Sequence, residues 1–133
     1  MEKMILKDLY PIMKTQWLKS ELKEDVKLDD IINAFVEKIS QKAKLIDIFD
    51  HYTWSKQTNP NANIYEGIIA AKNIVFCGWV DIAIPEMLAI KPRSIWFAEF
   101  EDKFFITMLQ VPNPEKVKEF EKMINWIKEN FIK

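Results

Sequence analysis

Residues 95–111 have the sequence IWFAEFEDKFFITMLQV, and this stretch decides the class of fold. It consists of two runs rich in aromatic and β-branched residues, separated by the charged segment Glu101-Asp102-Lys103. Such runs favour β-strands, and a short polar segment between two of them is typical of a hairpin. The stretch therefore predicts an antiparallel β-hairpin at about 95–111.

The residues directly after the hairpin predict an amphipathic helix at about 114–131. Asn113 can cap this helix, Pro114 suits its first position, and Glu115 complements the positive end of the helix dipole. Apolar residues then recur at spacings of three and four, which places them on one helix face; they are Val117, Phe120, Ile124, Ile127 and Phe131. We expect this helix to pack across the sheet that contains the hairpin.

The first half of the chain predicts helices. Apolar residues spaced by four, three and four positions indicate one helical face; they are Leu6, Tyr10, Met13 and Trp17. Because proline breaks a helix, Pro11 divides this segment into a short helix to about Tyr10 and a second one from Pro11 to about Leu22. A further helix, capped by Asp29 or Asp30, is expected to be the longest of the chain. Its buried stripe consists of Ile32, Phe35, Ile39, Ala43, Ile46 and Phe49.

The middle of the chain is ambiguous. Residues 55–63 contain Asn and Pro residues that favour turns, so they predict a loop. Residues 64–75 place apolar side chains on one helical face, whereas the β-branched and aromatic run 74–80 favours a buried strand. Periodicity alone cannot separate helix from strand in so short a run. We expect a helix first, then a strand or turn at about 76–84, and a short helix at 86–90.

The length and composition indicate a single domain over residues 1–133. Of these 133 residues 49% are hydrophobic and 29% are charged, which is the profile of a folded globular protein. The predicted fold class is α+β. It combines N-terminal helices with a small antiparallel sheet, which contains the hairpin, and with the C-terminal helix.

Several features of the sequence predict a cytoplasmic protein. Cys77 is the only cysteine, so the chain can form neither an internal disulfide nor a thiolate metal site. Charged residues interrupt the first eight positions, which is unlike a secretory signal. They also interrupt the most apolar stretch, 64–90, which therefore does not predict a bilayer span.

Glycine content and charge exclude further classes of function. Gly67 and Gly78 are the only glycines, whereas phosphate-binding loops need clustered glycines to bring backbone N–H groups to the anion. The 19 basic and 20 acidic residues leave a net charge of −1, without the basic excess of a nucleic-acid binder. We expect no cofactor, no metal and no nucleic-acid partner.

The most enzyme-like pattern combines Asp81 with Glu101 and Lys103. An Asp followed later by Glu-x-Lys after a hydrophobic strand is the outline of many metal-dependent nucleases. In such sites carboxylates hold Mg²⁺ and a lysine supports the charge changes of the transition state. Here Glu101 and Lys103 fall at a hairpin turn, where exposed charges are common. A nuclease-like hydrolase is therefore an alternative hypothesis, and we favour a non-enzymatic role.

His51, Trp54 and Arg93 are candidate ligand-binding residues. His51 is the only histidine and Arg93 the only arginine, and arginine is the usual partner of carboxylates and phosphates. Each also has a structural explanation, because a helix C-terminus favours histidine and loops expose arginine. A second alternative is thus a small-ligand sensor whose pocket lies between helices and sheet.

Met123 and Trp126 are candidate partner-binding residues. They widen the apolar stripe of the last helix beyond one packing face, and Trp and Met are enriched at interfaces. A helix packed on the sheet and on other helices at once would explain them equally well. Our leading hypothesis is a protein-interaction or regulatory domain that binds itself, as a homodimer, or another protein through an aromatic-rich surface.

Overall fold

The computed structural model describes residues 12–78, 81, 85, 88, 92–109 and 114–133. The described strands and α-helices follow one another as β1 (Ile12–Leu18), α1 (Leu28–Ser40), β2 (Lys44–Asp50), α2 (His51–Thr58), β3 (Ala70–Cys77), β4 (Arg93–Glu99), β5 (Lys103–Leu109) and α3 (Pro114–Phe131). A 3₁₀ turn at Lys19–Glu21 follows β1. The fold is of the α+β class, as the sequence predicts.

All neighbouring strands pair antiparallel in one sheet with the order β1-β5-β4-β3-β2. The β4–β5 hairpin lies in the centre and places Glu99 opposite Phe104. On the other side of β4, Phe76 of β3 lies opposite Arg93. β1 and β2 form the two edges, and the hairpin lies between β1 on one side and β3 on the other.

One face of the sheet, which we call the inner face, is buried under α1 and α3. Ile95 and Phe97 of β4 are 0% and 1% exposed. The Phe35 ring of α1 meets the Phe97 ring edge-to-face, with ring centres 5.1 Å apart. Other core side chains include Trp17, Leu28, Ile31, Ile32, Ile39, Ile74, Phe104, Ile106, Met108, Ile124 and Ile127. Burial of this apolar area, worth roughly 25 cal/mol per Å², stabilises the fold.

The opposite face, which we call the outer face, packs against α2. Asp50 caps this helix, because its Oδ1 atom accepts a hydrogen bond of 3.0 Å from the Thr53 N–H. The cap places His51 above the sheet, with its ring centre 5.3 Å from that of Trp96 on β4. Alternation along β4 puts Trp96 on the outer face and its neighbours Ile95 and Phe97 on the inner face.

The hairpin and the last helix are confirmed. β4 and β5 span residues 93–109, within two residues of the predicted hairpin at each end. The α3 helix begins at Pro114 and ends at Phe131, which are the predicted limits. The predicted cap Asn113 lies outside the described residues.

The prediction of a helix from Pro11 to about Leu22 is wrong, because β1 occupies Ile12–Leu18. Met13 and Trp17 are four residues apart, and a spacing of four returns to the same face in a strand as well as in a helix. Both lie opposite inner-face residues of β5, Met108 and Phe104. Residues 12–18 therefore form a strand and not a helix, because they pair with β5. The predicted helix that ends near Tyr10 lies outside the described residues.

The long helix predicted after Asp30 is shorter than predicted. The α1 helix ends at Ser40 after 13 residues, and the 18-residue α3 is the longer of the two. Ile46 and Phe49, assigned to the helical stripe, lie in strand β2 instead. The β-branched and aromatic residues of β2 pair with β3, and this long-range pairing overrides the helical spacing.

The helix predicted at 64–75 is also wrong, since β3 occupies Ala70–Cys77. The β-branched run around Ile74 decides this segment, and Ile74 is fully buried opposite Ile95. The loop predicted at 55–63 is partly wrong, because α2 continues to Thr58 before the turn. Most of the segment 76–84 and of the helix predicted at 86–90 lies outside the described residues.

Candidate functional site

A pocket of about 390 Å³ opens between the inner face of the sheet and the two helices α1 and α3. It lies at one end of the sheet, where β3 and β5 end and β4 begins. Its lining includes Lys38, Ile39, Gln41, Lys42, Ala43, Phe76, Cys77, Gly78, Arg93, Ile95, Met108, Lys116, Glu119, Phe120, Lys122, Met123 and Trp126. Five elements, α1, β3, β4, β5 and α3, thus contribute to one site.

The deep wall of the pocket is apolar. Ile95, Ile39 and Met108 are buried, at 0%, 6% and 4% exposure. Phe120 and Trp126 of α3 are partly buried and pack against this core. A volume of several hundred Å³ with mostly apolar walls is typical of small-molecule sites, which range over roughly 300–1,000 Å³.

The rim of the pocket is strongly basic. Five of the described lining residues are cationic, against the single carboxylate of Glu119; they are Lys38, Lys42, Arg93, Lys116 and Lys122. The Oε2 atom of Glu119 lies 3.4 Å from the Nζ atom of Lys116, so these two charges offset each other and the lining has an excess of four positive charges. The pocket therefore concentrates positive charge on a chain whose net charge is −1, and it favours an anion.

Arg93 is the cation of this rim that a β-strand carries. It occupies the same face of β4 as Ile95 and Phe97, so its side chain begins on the inner face. The Nη2 atom donates a hydrogen bond to the backbone carbonyl of Leu109. Burial lowers the pKa of the Arg93 guanidinium, because desolvation disfavours its charged form. Within the described residues no carboxylate forms an ion pair with Arg93.

The predicted partner-binding residues, Met123 and Trp126, both line this pocket. Neither is fully buried, and both pack against the core cluster. Lys38 of α1 lies over the Trp126 ring, with its Nζ atom 4.0 Å from the ring centre. Part of the Trp126 surface is therefore used in the contact between α1 and α3.

Two of the three predicted ligand-binding residues lie together, and the third lies elsewhere. The ring centres of His51 and Trp54 are 5.6 Å apart, and Phe49 lies beside both. This aromatic cluster lies on the outer face, whereas Arg93 lines the pocket on the inner face. His51 Nδ1 and Asn73 Oδ1 are buried without a hydrogen-bond partner in the described part of the chain.

Asp81 and the pair Glu101 and Lys103 are connected to opposite ends of the sheet. Asp81 comes four residues after the end of β3, whereas Glu101 lies at the β4–β5 turn, beside the start of β3. The length of β3 separates these two ends of the sheet by about 20 Å. In the described residues no group of His, Cys, Asp and Glu is arranged to hold a metal.

A family comparison covers nearly the whole chain. Residues 1–130 match the model of a family of unknown function, DUF6858. The chain belongs to this family. Neither a curated protein nor a solved structure matches it. In the described segments, no helix of this family member combines the length and the apolar character that crossing a bilayer requires.

Proposed function

We propose that this domain binds a small organic anion with an apolar body in the pocket between α1, α3 and the sheet, and acts as a ligand sensor rather than an enzyme. One observation carries the proposal. An apolar pocket of about 390 Å³ is rimmed by five cationic side chains, one of which, Arg93, forms no ion pair with a described carboxylate.

The chemistry of the pocket favours a carboxylate at the rim and a hydrocarbon or aromatic body inside. A guanidinium presents two parallel N–H groups to a carboxylate, and such a pair is stronger where water is partly excluded. The buried wall formed by Ile39, Ile95 and Met108 carries no charge, so burial of apolar ligand surface against it favours binding. An apolar carboxylic acid satisfies both halves of the site.

The cellular location is part of the same proposal. The single thiol, Cys77, lines the pocket and excludes an internal disulfide. A chain without disulfides suits the reducing cytoplasm. There the domain would report the concentration of an apolar acid to a partner.

The proposal is tested by calorimetric titration with decanoate, below its micellar concentration, and with 1-decanol as the neutral analogue of equal chain length. We expect decanoate to bind and decanol to bind at least about tenfold more weakly, since a hydrogen bond to a charged group contributes about 1.5–3 kcal/mol. Equal affinity for the two probes, or no binding of decanoate, contradicts the proposal.

Variants locate the binding site. Arg93→Met is expected to weaken decanoate binding at least about tenfold. Lys56→Met is the matched control, because Lys56 is a cation on α2, where it lies over the Tyr52 ring. The control should bind decanoate as the unchanged protein does. If both variants bind equally well, the anion is held somewhere other than at Arg93.

Self-association through an aromatic-rich surface is a second candidate function. It is favoured by the exposed apolar side chains of the outer face, among them Trp54, Trp96 and Leu109, at 52%, 37% and 46% exposure. Met123 and Trp126, the residues predicted for this role, lie on the other side of the sheet, in the pocket wall. A concentration series in light scattering tests it, and a protein that stays monomeric at every concentration contradicts it.

A further inference from the structure

The two edges of the sheet differ in whether they can accept another strand. β2 is blocked as an edge strand. Its register with β3 shifts between Leu45 and Asp47, and the Asp47 carboxylate accepts a hydrogen bond of 2.8 Å from the N–H of Ile48. Bulges and self-satisfied backbone groups of this kind prevent pairing with another chain.

β1 has neither protection. Its seven residues pair with β5 in unbroken register, from Ile12 opposite Leu109 to Leu18 opposite Lys103. In the described residues no strand pairs with its other edge. The strand contains no proline, and Lys14 is its only charged residue. A regular, almost uncharged edge is a template for a further strand.

The register identifies which backbone groups point outward. The Lys19 N–H donates to the Asp102 carbonyl at 2.8 Å, which continues the β1–β5 ladder. Because ladder bonds alternate along an antiparallel strand, Trp17, Thr15 and Met13 direct their backbone groups to β5. The alternate residues direct theirs to the open edge; they are Ile12, Lys14, Gln16 and Leu18.

We infer that β1 pairs antiparallel with β1 of a second copy of this chain, about a two-fold axis at Thr15, and joins the two sheets into one. In this register Ile12 pairs with Leu18 of the second copy, and Lys14 pairs with Gln16. All four residues are those that direct backbone groups outward, so the hydrogen-bonding pattern closes without a shift. The inference shares self-association with the second candidate function but places the contact at the β1 edge instead of the aromatic-rich surface, and it is independent of the ligand pocket.

The side chains are also self-complementary in this register. Ile12 and Leu18, 66% and 43% exposed, come to lie side by side on the outer face. Lys14 meets the neutral Gln16 instead of another cation, and the two Thr15 side chains meet at the axis. Cross-strand apolar and Thr–Thr pairs stabilise antiparallel pairing, whereas like charges opposed across strands destabilise it. A second copy therefore fits this edge without repulsion.

The Lys14–Gln16 pair provides a charge-swap test by sedimentation velocity over a concentration series at low salt. Both side chains are exposed, so their replacement leaves the core intact. Gln16→Glu should tighten the dimer, because it opposes a carboxylate to Lys14 of the second copy. Gln16→Lys should weaken it. Two such pairs form by symmetry, so we expect a change of about threefold to tenfold in the dissociation constant in each direction.

The double variant Lys14→Glu/Gln16→Lys restores opposite charges and should recover at least the affinity of the unchanged protein. A protein that is monomeric throughout the series, or a dimer whose affinity does not follow the order of the three variants, overturns the inference. Decanoate titration of the same variants separates the two proposals, because the pocket lies on the inner face and should bind its probe equally well in all of them.

Discussion

The Nζ atom of Lys38 lies 4.0 Å from the centre of the Trp126 ring and connects the last turn of α1 to the middle of α3. A cation over the face of an indole is attracted by the ring quadrupole. The contact closes one side of the pocket, because both residues also line it. It therefore couples the packing of the two helices to the shape of the site.

Removal of this contact should lower stability modestly. We expect Lys38→Met to reduce the free energy of unfolding by about 0.5–1 kcal/mol, the usual strength of a cation–π contact at a partly exposed site. A double-mutant cycle with Trp126→Leu should return a coupling of the same size in chemical denaturation. Lys42→Met, an exposed lysine just beyond the end of α1, is the control and should have little effect. Zero coupling between Lys38 and Trp126 would refute the attraction.

Arg93→Met should weaken ligand binding without loss of stability. Burial lowers the pKa of Arg93, which means that the folded state disfavours its charge. Arg93 is partly buried, and its replacement by an apolar side chain removes the cost of desolvating this charge. We expect the free energy of unfolding to change by less than about 1 kcal/mol or to rise. A loss of more than about 2 kcal/mol in urea denaturation would show that the Leu109 contact outweighs desolvation.

The pH dependence of binding follows from the direction of the same shift. Because folding lowers the pKa of Arg93, this group increases the free energy of unfolding only as the pH rises through that pKa. For an arginine this happens in the strongly alkaline range. Between about pH 6 and 9 both Arg93 and a carboxylate probe stay charged. Decanoate affinity measured by calorimetry should therefore be flat over this interval. A steep loss within it would assign the anion to a different group, such as a histidine.

The hairpin and α3 could be predicted because local signals and long-range contacts agree there. The β-branched and aromatic runs of β4 and β5 are joined by a three-residue turn, so the partner of each strand is its neighbour in sequence. Pro114 and the three-four spacing after it define α3 without reference to other elements. Prediction succeeds where a segment finds its partners nearby.

The strands β1, β2 and β3 could not be assigned in this way. The spacing of four that connects Met13 to Trp17 suits helix and strand equally, and the partner that decides, β5, lies about 90 residues away. The pocket depends on the same pairings, because the strand order of the sheet determines that Arg93 lies beside α1 and α3. The sequence identifies Arg93, Met123 and Trp126 as candidates, but nothing in it predicts that Lys38 and Phe76 join them.

Gly67→Ala should destabilise the fold, because Gly67 has a φ of +94°. An added Cβ atom would also lie 3.2 Å from Cδ1 of Phe100. A left-handed backbone costs a residue with a Cβ atom about 1–2 kcal/mol, and we expect at least this loss in thermal or urea denaturation. Gly78→Ala is the matched control at the only other glycine. Its Cβ atom would meet that of Ala43 at 3.4 Å without a positive φ, so the loss should be smaller. Equal losses at both sites would show that backbone conformation does not decide the effect at Gly67.

Phe35→Ala should remove more stability than any of the changes above. Phe35 is fully buried, and its ring packs edge-to-face on Phe97 at the centre of the inner face. Truncation of a buried phenylalanine costs about 3–5 kcal/mol, from lost transfer energy and from the cavity that remains. Asn33→Ala, an exposed change in the same helix, should stay within about 0.5 kcal/mol. Both values are measured by urea denaturation monitored by circular dichroism. A loss below about 1 kcal/mol for Phe35→Ala would mean that α1 is not anchored to the sheet through this ring pair.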